Sequence, residues 1–199
     1  VSRTDYRQRH DPVFIKQLLD QHGPAWVIPE GGANLAGVEG CQRLASLLLE
    51  QVADLAGSEI CLACGTATTL AGLVAGLQSS SLSPAPKVTG HVVLKGGEPL
   101  TAEVAGWLQQ LGVDPHDANW WLDTQDAHFG GYAKQPQSLL DFIADFSAQH
   151  DVPLEPVYSG RLLAAIFTRL ERGEYPPGTR LLALHTGGLL AANVPRSTD

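Results

Sequence analysis

The most informative segment of the sequence spans residues 58 to 72 and reads Ser-Glu-Ile-Cys-Leu-Ala-Cys-Gly-Thr-Ala-Thr-Thr-Leu-Ala-Gly. Residues 58–63, which are apolar from Ile60 onward, predict a strand, and residues 68–77 predict a helix. The strand and the helix are joined by small residues, which let backbone N–H groups approach an anion. The start of the helix adds a partial positive charge. The small residues are Gly65, Thr66, Ala67, Thr68 and Thr69. The segment predicts a phosphate-binding loop or, as the alternative, a tight turn whose threonines cap the helix.

Cys61 and Cys64 in the same segment form a Cys-x-x-Cys motif, which is typical of thiol redox proteins. Redox pairs usually lie at the start of a helix, whereas Cys61 falls inside the apolar strand. We expect Cys61 to be a core residue and Cys64 to end the strand, with a redox protein as an alternative. The seven histidines are scattered without a pair at ligand spacing, so the sequence predicts no metal site.

Outward from this segment, helix-like and strand-like patterns alternate along the chain. An Asp11-Pro12 pair predicts the start of a helix. Further helices are predicted at residues 38–56, 68–77, 100–111, 136–150 and 161–172. Strands are predicted at residues 25–28, 58–63, 88–94, 120–122 and 180–184. This alternation predicts an α/β fold with a parallel sheet and helices on both of its faces.

The composition limits the classes of protein to which the chain can belong. The 199 residues are 44% hydrophobic, which excludes a disordered chain, and the net charge is −8 without a basic stripe, which argues against nucleic-acid binding. The sequence contains neither an apolar run long enough for a membrane span nor a secretory signal at its start. Three cysteines do not suggest a disulfide framework, so we expect a cytoplasmic protein.

In parallel α/β sheets, ligands bind beyond the carboxyl ends of the strands, and several predicted strand ends here carry unusual motifs. These are Glu30-Gly31-Gly32, Cys64–Thr69, Lys95-Gly96-Gly97 and His185-Thr-Gly-Gly188. Two of them belong to longer motifs, and a further motif lies between the last two helices, which gives the set Pro29-Glu-Gly-Gly-Ala-Asn-Leu-Ala-Gly37, the Cys64–Gly72 loop, Leu154-Glu-Pro-Val-Tyr-Ser-Gly-Arg161 and His185-Thr-Gly-Gly188. In this order the four motifs resemble the pyridoxal-phosphate (PLP)-dependent family of D-cysteine desulfhydrase and 1-aminocyclopropane-1-carboxylate deaminase. The resemblance implies the tryptophan-synthase-β-like fold, called fold type II. It also implies that residues 1–35 end a small domain and that residues 36–199 form the large, PLP-binding domain.

The resemblance also implies roles for individual residues. Gly65 through Thr69 match the loop that holds the cofactor phosphate, although Ala67 stands where the family often has glycine, which would strain a left-handed backbone. Thr186 and Gly187 match cofactor-binding positions. Tyr158 and Tyr132 match two active-site tyrosines, of which Tyr158 faces the substrate and takes part in proton transfer. Without the resemblance, the sequence favours an ordinary half-buried aromatic residue for each tyrosine.

Ser159 matches the residue beside the pyridine nitrogen of the cofactor. In the family this residue is a glutamate in the deaminases and a hydroxyl residue in the desulfhydrases. A hydroxyl makes the ring a weaker electron sink, which suffices for α,β-elimination of a small D-amino acid to pyruvate, ammonia and sulfide. The alternative is that Ser159 simply caps the helix that follows it.

The resemblance further implies a lysine that binds the cofactor as a Schiff base, in a Gly-Asn-Lys-type motif that this chain lacks. The lysines present are Lys16, Lys87, Lys95 and Lys134, and none of them has this context. We therefore expect the chain to be the C-terminal part of a longer enzyme and inactive alone. The competing hypothesis is a non-catalytic module that binds PLP or another phosphate ligand. The partners expected are a small amino acid and, by analogy with the fold, a second copy of the chain.

Overall fold

The computed structural model describes residues 2–189, and the chain divides into two compact units, Val1–Glu30 and Gly31–Asp199. The first unit contains two helices, α1 (Arg3–Arg7) and α2 (Pro12–His22). The predicted start of α2 is confirmed, because the Asp11 side chain accepts the Val13 N–H at 2.8 Å and Pro12 is the first helical residue.

The strand predicted at residues 25–28 is wrong, because these residues have no regular secondary structure. The side chain of Trp26 is 98% exposed and that of Ile28 is 79% exposed. The run is only four residues long and lies between Pro24 and Pro29, which have no N–H to donate to a sheet. An apolar run indicates a strand only where a neighbouring strand pairs with it.

The second unit is a parallel sheet covered by helices, as the alternation predicted. After one 3-10 turn, Glu30–Gly32, the elements follow in a regular order. They are α3 (Leu35–Gln51), β1 (Glu59–Cys64), α4 (Thr68–Gln78), β2 (Lys87–Val92), α5 (Leu100–Gln110), β3 (Trp120–Asp123), α6 (Gln137–His150), α7 (Ser159–Glu171) and β4 (Leu181–Leu184). The strands lie in the order β3-β2-β1-β4, and all three neighbouring pairs are parallel.

The two faces of the sheet are covered by different helices. Helices α3, α4 and α5 pack on one face around a large apolar cluster that includes Leu62 and Leu70. Helix α7 packs on the other face, against Cys61 and Ala63 of β1, and α6 packs against α7. Because every strand runs in the same direction, the carboxyl ends of all four meet at one edge, where the candidate site lies.

The ends of α3 differ from the prediction. The helix begins at Leu35 because the Asn34 side chain caps it by accepting the Gly37 N–H at 2.8 Å. It ends at Gln51 and not at Ala56, although the next residue, Gly57, has the left-handed φ of +68° that is common after a helix. In α6, Leu139 is buried, whereas Leu140 is 36% exposed. Strand β4 is only partly buried.

Candidate active site

The loop between β1 and α4 presents the start of a helix that no side chain caps. The residue before the helix is Ala67, which cannot accept a hydrogen bond through its side chain, and α4 begins at Thr68. Unsatisfied N–H groups at a helix start, together with the helix dipole, bind anions. Ala67 has φ −73° and ψ −12°, an ordinary right-handed conformation, so alanine is not strained where the family often has glycine. Both backbone and sequence of the loop therefore fit a phosphate.

Two threonine hydroxyls line the same loop. Thr66 Oγ1 and Thr68 Oγ1 lie 3.2 Å apart and share a hydrogen bond. Gly31, from the earlier glycine motif, lies directly against this pair: a Cβ there would come within 2.7 Å of Thr66 Oγ1. Its φ of +64° also favours glycine. The structure thus brings two of the four motifs together, and the glycine allows a close approach to the loop.

The two tyrosines identified from the sequence lie beside this loop. A Cβ at Gly65 would be 3.2 Å from Cε1 of Tyr158, so the phenol ring covers the glycine face of the loop. The hydroxyls of Tyr132 and Tyr158 are 3.5 Å apart. Tyr132 is 58% exposed and Tyr158 is 36% exposed, so both rings remain open to a ligand. Residues far apart in the sequence therefore meet at one edge of the sheet.

Ser159 is 4% exposed and is held by Glu155, a buried carboxylate. Ser159 Oγ accepts the Glu155 N–H at 3.0 Å and lies 3.3 Å from Glu155 Oε1, to which it can donate. The Glu155 carboxylate also accepts the N–H groups of Val157, Tyr158 and Ser159 at 2.6 to 2.7 Å. The alternative that Ser159 caps the helix is wrong, because Ser159 is its first residue and the Glu155 carboxylate accepts its N–H.

The His185–Gly188 motif follows β4 and approaches the same carboxylate. A Cβ at Gly188 would lie 3.1 Å from Cγ of Glu155. His185 fixes the turn, since its Nδ1 accepts the Gly187 N–H at 3.1 Å while its Nε2 lies 2.9 Å from the Pro153 carbonyl oxygen. Thr186 is exposed, and a Cβ at Gly187 would meet no atom within 4 Å. These two predicted cofactor contacts therefore face open space beside the Glu155–Ser159 pair.

Arg161, which ends the Leu154–Arg161 motif and was not predicted to be a site residue, is fully buried in the first turns of α7. Its guanidinium donates to backbone carbonyls near both tyrosines, with Nε 3.0 Å from the Pro156 oxygen and Nη1 2.6 Å from the His128 oxygen. Burial lowers the pKa of Arg161, against the opposing influence of Glu155 and Tyr132. A charged residue on an otherwise apolar helix face was the sequence signal for such a role.

The two cysteines of the Cys-x-x-Cys motif do not form a redox centre. Cys61 is core and Cys64 ends β1, as predicted, and both are free thiols. Burial and the Glu59 carboxylate raise the pKa of Cys61 to about 12, and burial raises that of Cys64 to about 12. A thiol of this kind is protonated at neutral pH and is a poor nucleophile.

The lysines lie in three different settings. Lys16 belongs to the first unit and forms an ion pair with Asp20. Lys87 starts β2, at the edge of the sheet opposite the site, and pairs with Glu59 at 3.3 Å. Lys95 and Lys134 follow carboxyl ends of strands and are exposed. Among residues 2–189 there is neither a group of three or more metal-ligating side chains nor a helix long and apolar enough to span a membrane.

Comparison with known proteins places this geometry in context. Residues 2–187 match the family of pyridoxal-phosphate-dependent enzymes. The chain is 30% identical over 184 residues to the mitochondrial bifunctional D-cysteine desulfhydrase/1-aminocyclopropane-1-carboxylate deaminase of Arabidopsis thaliana, covering 88% of the chain and 45% of that protein. It is 30% identical over 173 residues to the D-cysteine desulfhydrase of Yersinia enterocolitica, covering 82% of the chain and 50% of the relative. The chain thus spans about half the length of these relatives.

Solved structures confirm the predicted fold class. A homologue of 1-aminocyclopropane-1-carboxylate deaminase superposes with a TM-score of 0.74 at 24% identity, covering 95% of this chain and 57% of that one. O-ureido-L-serine synthase superposes with a TM-score of 0.54 at 16% identity, covering 94% and 59% of the two chains. At these identities the likeness establishes the fold, which is that of the type II PLP-dependent enzymes.

Proposed function

We propose, from the premise that the chain belongs to the family of pyridoxal-phosphate-dependent enzymes, that it forms one side of the active site of a lyase or deaminase of small amino acids. The observation that carries the proposal is the uncapped start of α4, with Tyr158 lying over Gly65 beside it. Within this proposal, the first unit and the residues up to 35 end the small domain, and residues 36–199 belong to the large domain.

The residues present fit the cofactor. The N–H groups at the start of α4 and the hydroxyls of Thr66 and Thr68 would hold its phosphate. Ser159, buried beside Glu155, would face the pyridine nitrogen, and Thr186 and Gly187 would complete the wall on that side. When bound, PLP withdraws electrons from the substrate Cα, which makes loss of a proton or of a β-substituent easier.

The remaining steps belong to side chains of this chain. The phenol of Tyr158 exchanges a proton with the substrate, and the Tyr132 hydroxyl at 3.5 Å can pass it on or orient it. Glu155 fixes the position of the Ser159 hydroxyl through the hydrogen bond at 3.0 Å and the contact at 3.3 Å. A hydroxyl at this position, where a carboxylate would make a stronger electron sink, favours elimination of sulfide from a D-cysteine-like substrate over the opening of a cyclopropane ring.

The phosphate site is tested by titrating the chain with PLP and following the quenching of tryptophan fluorescence. We expect pyridoxal, which lacks the phosphate, to bind far more weakly, and inorganic phosphate to compete with PLP. Thr66→Glu places a negative charge at the loop and should weaken PLP binding by about tenfold or more. Thr101→Glu is the matched control, since Thr101 is an exposed residue in the first turn of α5. Equal affinities for PLP and pyridoxal would contradict the phosphate site.

The activity is tested on the intact protein with D-cysteine and 1-aminocyclopropane-1-carboxylate, by measuring sulfide and ammonia. We expect Tyr158→Phe to lower kcat by about 100-fold, because it removes a positioned proton donor and acceptor while leaving the phosphate loop intact. Tyr175→Phe is the control, since Tyr175 packs in the core with Cys61 and Leu162. An intact protein that binds PLP but releases neither product is the non-catalytic module.

The setting of the enzyme is part of the same proposal. We infer a cytoplasmic enzyme, because the free thiols of Cys41, Cys61 and Cys64 suit a reducing compartment. Two copies of the protein would form a homodimer, by analogy with the fold. Sedimentation of the intact protein over a range of concentrations measures this directly.

A further inference from the structure

The interactions of Arg161 join two segments that each carry an active-site tyrosine. On one side, Nε donates to the carbonyl oxygen of Pro156, two residues before Tyr158, at 3.0 Å. On the other side, Nη1 donates to the carbonyl oxygen of His128 at 2.6 Å, and Nη2 donates to that of Lys134. The planar guanidinium thus uses all three of its nitrogens on backbone oxygens.

The second of these segments, residues 127–134, is named here the tyrosine loop. It carries Tyr132 and contains two residues with unfavourable positive φ, 46° at Phe129 and 54° at Ala133, conformations that persist only where the surrounding structure holds them. Three hydrogen bonds within the loop shape its turn: His128 accepts the Gly131 N–H through its carbonyl oxygen at 2.8 Å and the Gly130 N–H through Nδ1 at 2.9 Å, and the Lys134 N–H donates to the Gly131 carbonyl oxygen at 3.3 Å. None of the three links the loop to another element.

The contacts of Arg161 bracket this turn on both sides. Nη1 also lies 3.4 Å from the Ala127 oxygen and 3.3 Å from the Val93 oxygen, just beyond the end of β2. The guanidinium carbon lies 5.9 Å from the centre of the Phe129 ring. The arginine is fully buried, so its hydrogen bonds do not compete with water. Arg161 therefore links the loop by hydrogen bonds both to the end of β2 and to the start of α7, beside the packing of Ala127 against Val93 and Ala165 and the contact between the two tyrosine hydroxyls.

We propose that Arg161 is a positioning residue that holds the tyrosine loop against the start of α7 and so sets the distance between the Tyr132 and Tyr158 hydroxyls. Its catalytic consequence rests on the proposed function, whereas its structural consequence does not. Lysine at this position would keep the charge but could not bond Pro156, His128 and Lys134 from three fixed nitrogens. The distance of 3.5 Å between the hydroxyls should then lengthen.

The structural part is tested without cofactor or substrate by photo-oxidative cross-linking of tyrosines, with the 132–158 dityrosine peptide quantified by mass spectrometry. We expect Arg161→Lys to reduce its yield by about fivefold and to speed amide exchange in the tyrosine loop by about tenfold. Arg172→Lys is the matched control, because Arg172 follows the same helix and pairs with Asp126 beside the same loop, but is 53% exposed. An unchanged cross-link yield in folded Arg161→Lys would overturn the proposal.

A second measurement on the unsubstituted chain covers the case in which Arg161→Lys does not fold. Guanidinium N–H groups held by several carbonyls rotate and exchange slowly, so the Arg161 side chain should give separate, protected NMR signals, while Arg172 should not. A freely exchanging Arg161 guanidinium would count against the proposal as strongly as an unchanged cross-link.

The catalytic part is measured on the intact protein. We expect Arg161→Lys to lower kcat by about 10- to 100-fold with little change in KM, because misplacement of a reacting group affects the transition state more than binding. In a Tyr132→Phe background the same substitution should have little further effect, whereas a general loss of structure would lower kcat in both backgrounds. If the unsubstituted protein shows no activity, the proposed function fails, and the cross-linking result still decides the role of Arg161.

Discussion

The side chains of Cys61 and Cys64 enter different cores although the residues lie only three positions apart on β1. Alternate residues of a strand face opposite sides of the sheet, so a separation of three places the two thiols on opposite faces. Cys61 packs with Leu162 and Ile166 of α7, and Cys64 belongs to the cluster beneath α3, α4 and α5. A Cys-x-x-Cys motif within a strand therefore cannot close a disulfide without unpairing the strand.

This placement predicts how the three thiols react with a disulfide reagent such as Ellman's reagent. With pKa values of about 12, Cys61 and Cys64 are thiolates in only ~0.01% of molecules at pH 8. We expect one thiol, the half-buried Cys41, to react in the native protein and all three to react in denaturant. Cys41→Ser should abolish the native reaction and serves as the control. Rapid labelling of Cys61 or Cys64 in the folded chain would contradict the assignment.

How much of the site could be predicted depended on whether its residues are neighbours in the sequence. The loop from Gly65 to Thr69 could be predicted as a candidate phosphate site because the small residues, the strand end and the helix start are neighbours in the sequence. The role of Arg161 could not, since its partners Val93, Ala127 and Lys134 lie 68, 34 and 27 residues away. The carboxylate of Glu155 was quoted within a motif, but only the fold shows that it holds Ser159.

Helices α3 and α4 are brought together by glycines of α4. A Cβ at Gly72 would meet the Val38 carbonyl oxygen and would come within 2.5 Å of Cys41 Cβ. A Cβ at Gly76 would lie 2.6 Å from that of Ala45. Backbone and Cβ atoms of a packed helix cannot give way as the end of a flexible side chain can. The spacing of four residues puts both glycines on the face of α4 that contacts α3.

We expect Gly72→Ala to lower the free energy of unfolding by about 1–3 kcal/mol, because overpacking outweighs the gain in helix propensity. Gly40→Ala is the matched control, since Gly40 lies in α3 with no atom within 4 Å of its would-be Cβ. There the same substitution should raise the free energy of unfolding by about 0.5–1 kcal/mol. Urea denaturation of both variants measures the two changes, and equal shifts of the same sign would refute the packing argument.

Most elements of the second unit could be predicted because local pattern and tertiary environment agree there. The strand β1 and the helix α4 lie within one residue of the predicted bounds. The strand predicted at residues 25–28 failed because an apolar run does not specify a pairing partner. The predicted end of α3 was wrong for a related reason. The apolar pattern continues to Leu55, which is buried, but the helix ends before Val52 and Leu55 reaches the core from outside the helix.

At the scale of the whole sheet, the two faces differ in chemistry. The face beneath α3, α4 and α5 is apolar, whereas the face beneath α7 carries buried polar pairs that join neighbouring strands. Thr89 of β2 donates to Glu59 of β1 at 2.6 Å, and His91 of β2 bonds Asp123 of β3 at 3.0 Å. Each pair crosses from one strand to the next, so the loss of such a contact affects the stability of the sheet and not only that of one residue.

Asp123 should make the stability of this sheet depend on acid. Burial alone would raise the pKa of Asp123, but hydrogen bonds from His91 and from the Gln125 and Asp126 N–H groups outweigh it and lower the pKa to about 2. Because this pKa is below that of the unfolded chain, the carboxylate stabilises the fold above about pH 4, and its contribution, about 2 kcal/mol, is lost as the pH falls towards 2. The free energy of unfolding, followed by the fluorescence of Trp120 and Trp121 on β3, should therefore decline across this range.

Two variants separate the contribution of Asp123 from that of other carboxylates. Asp123→Asn should be less stable at neutral pH, and its free energy of unfolding should decline less steeply with acid. Asp145→Asn, which removes an exposed carboxylate from α6, should follow the unsubstituted chain. If the free energy of unfolding fell with pH in parallel for the unsubstituted chain and Asp123→Asn, the acid sensitivity would belong to other carboxylates, because a neutral amide has no proton to gain over this range.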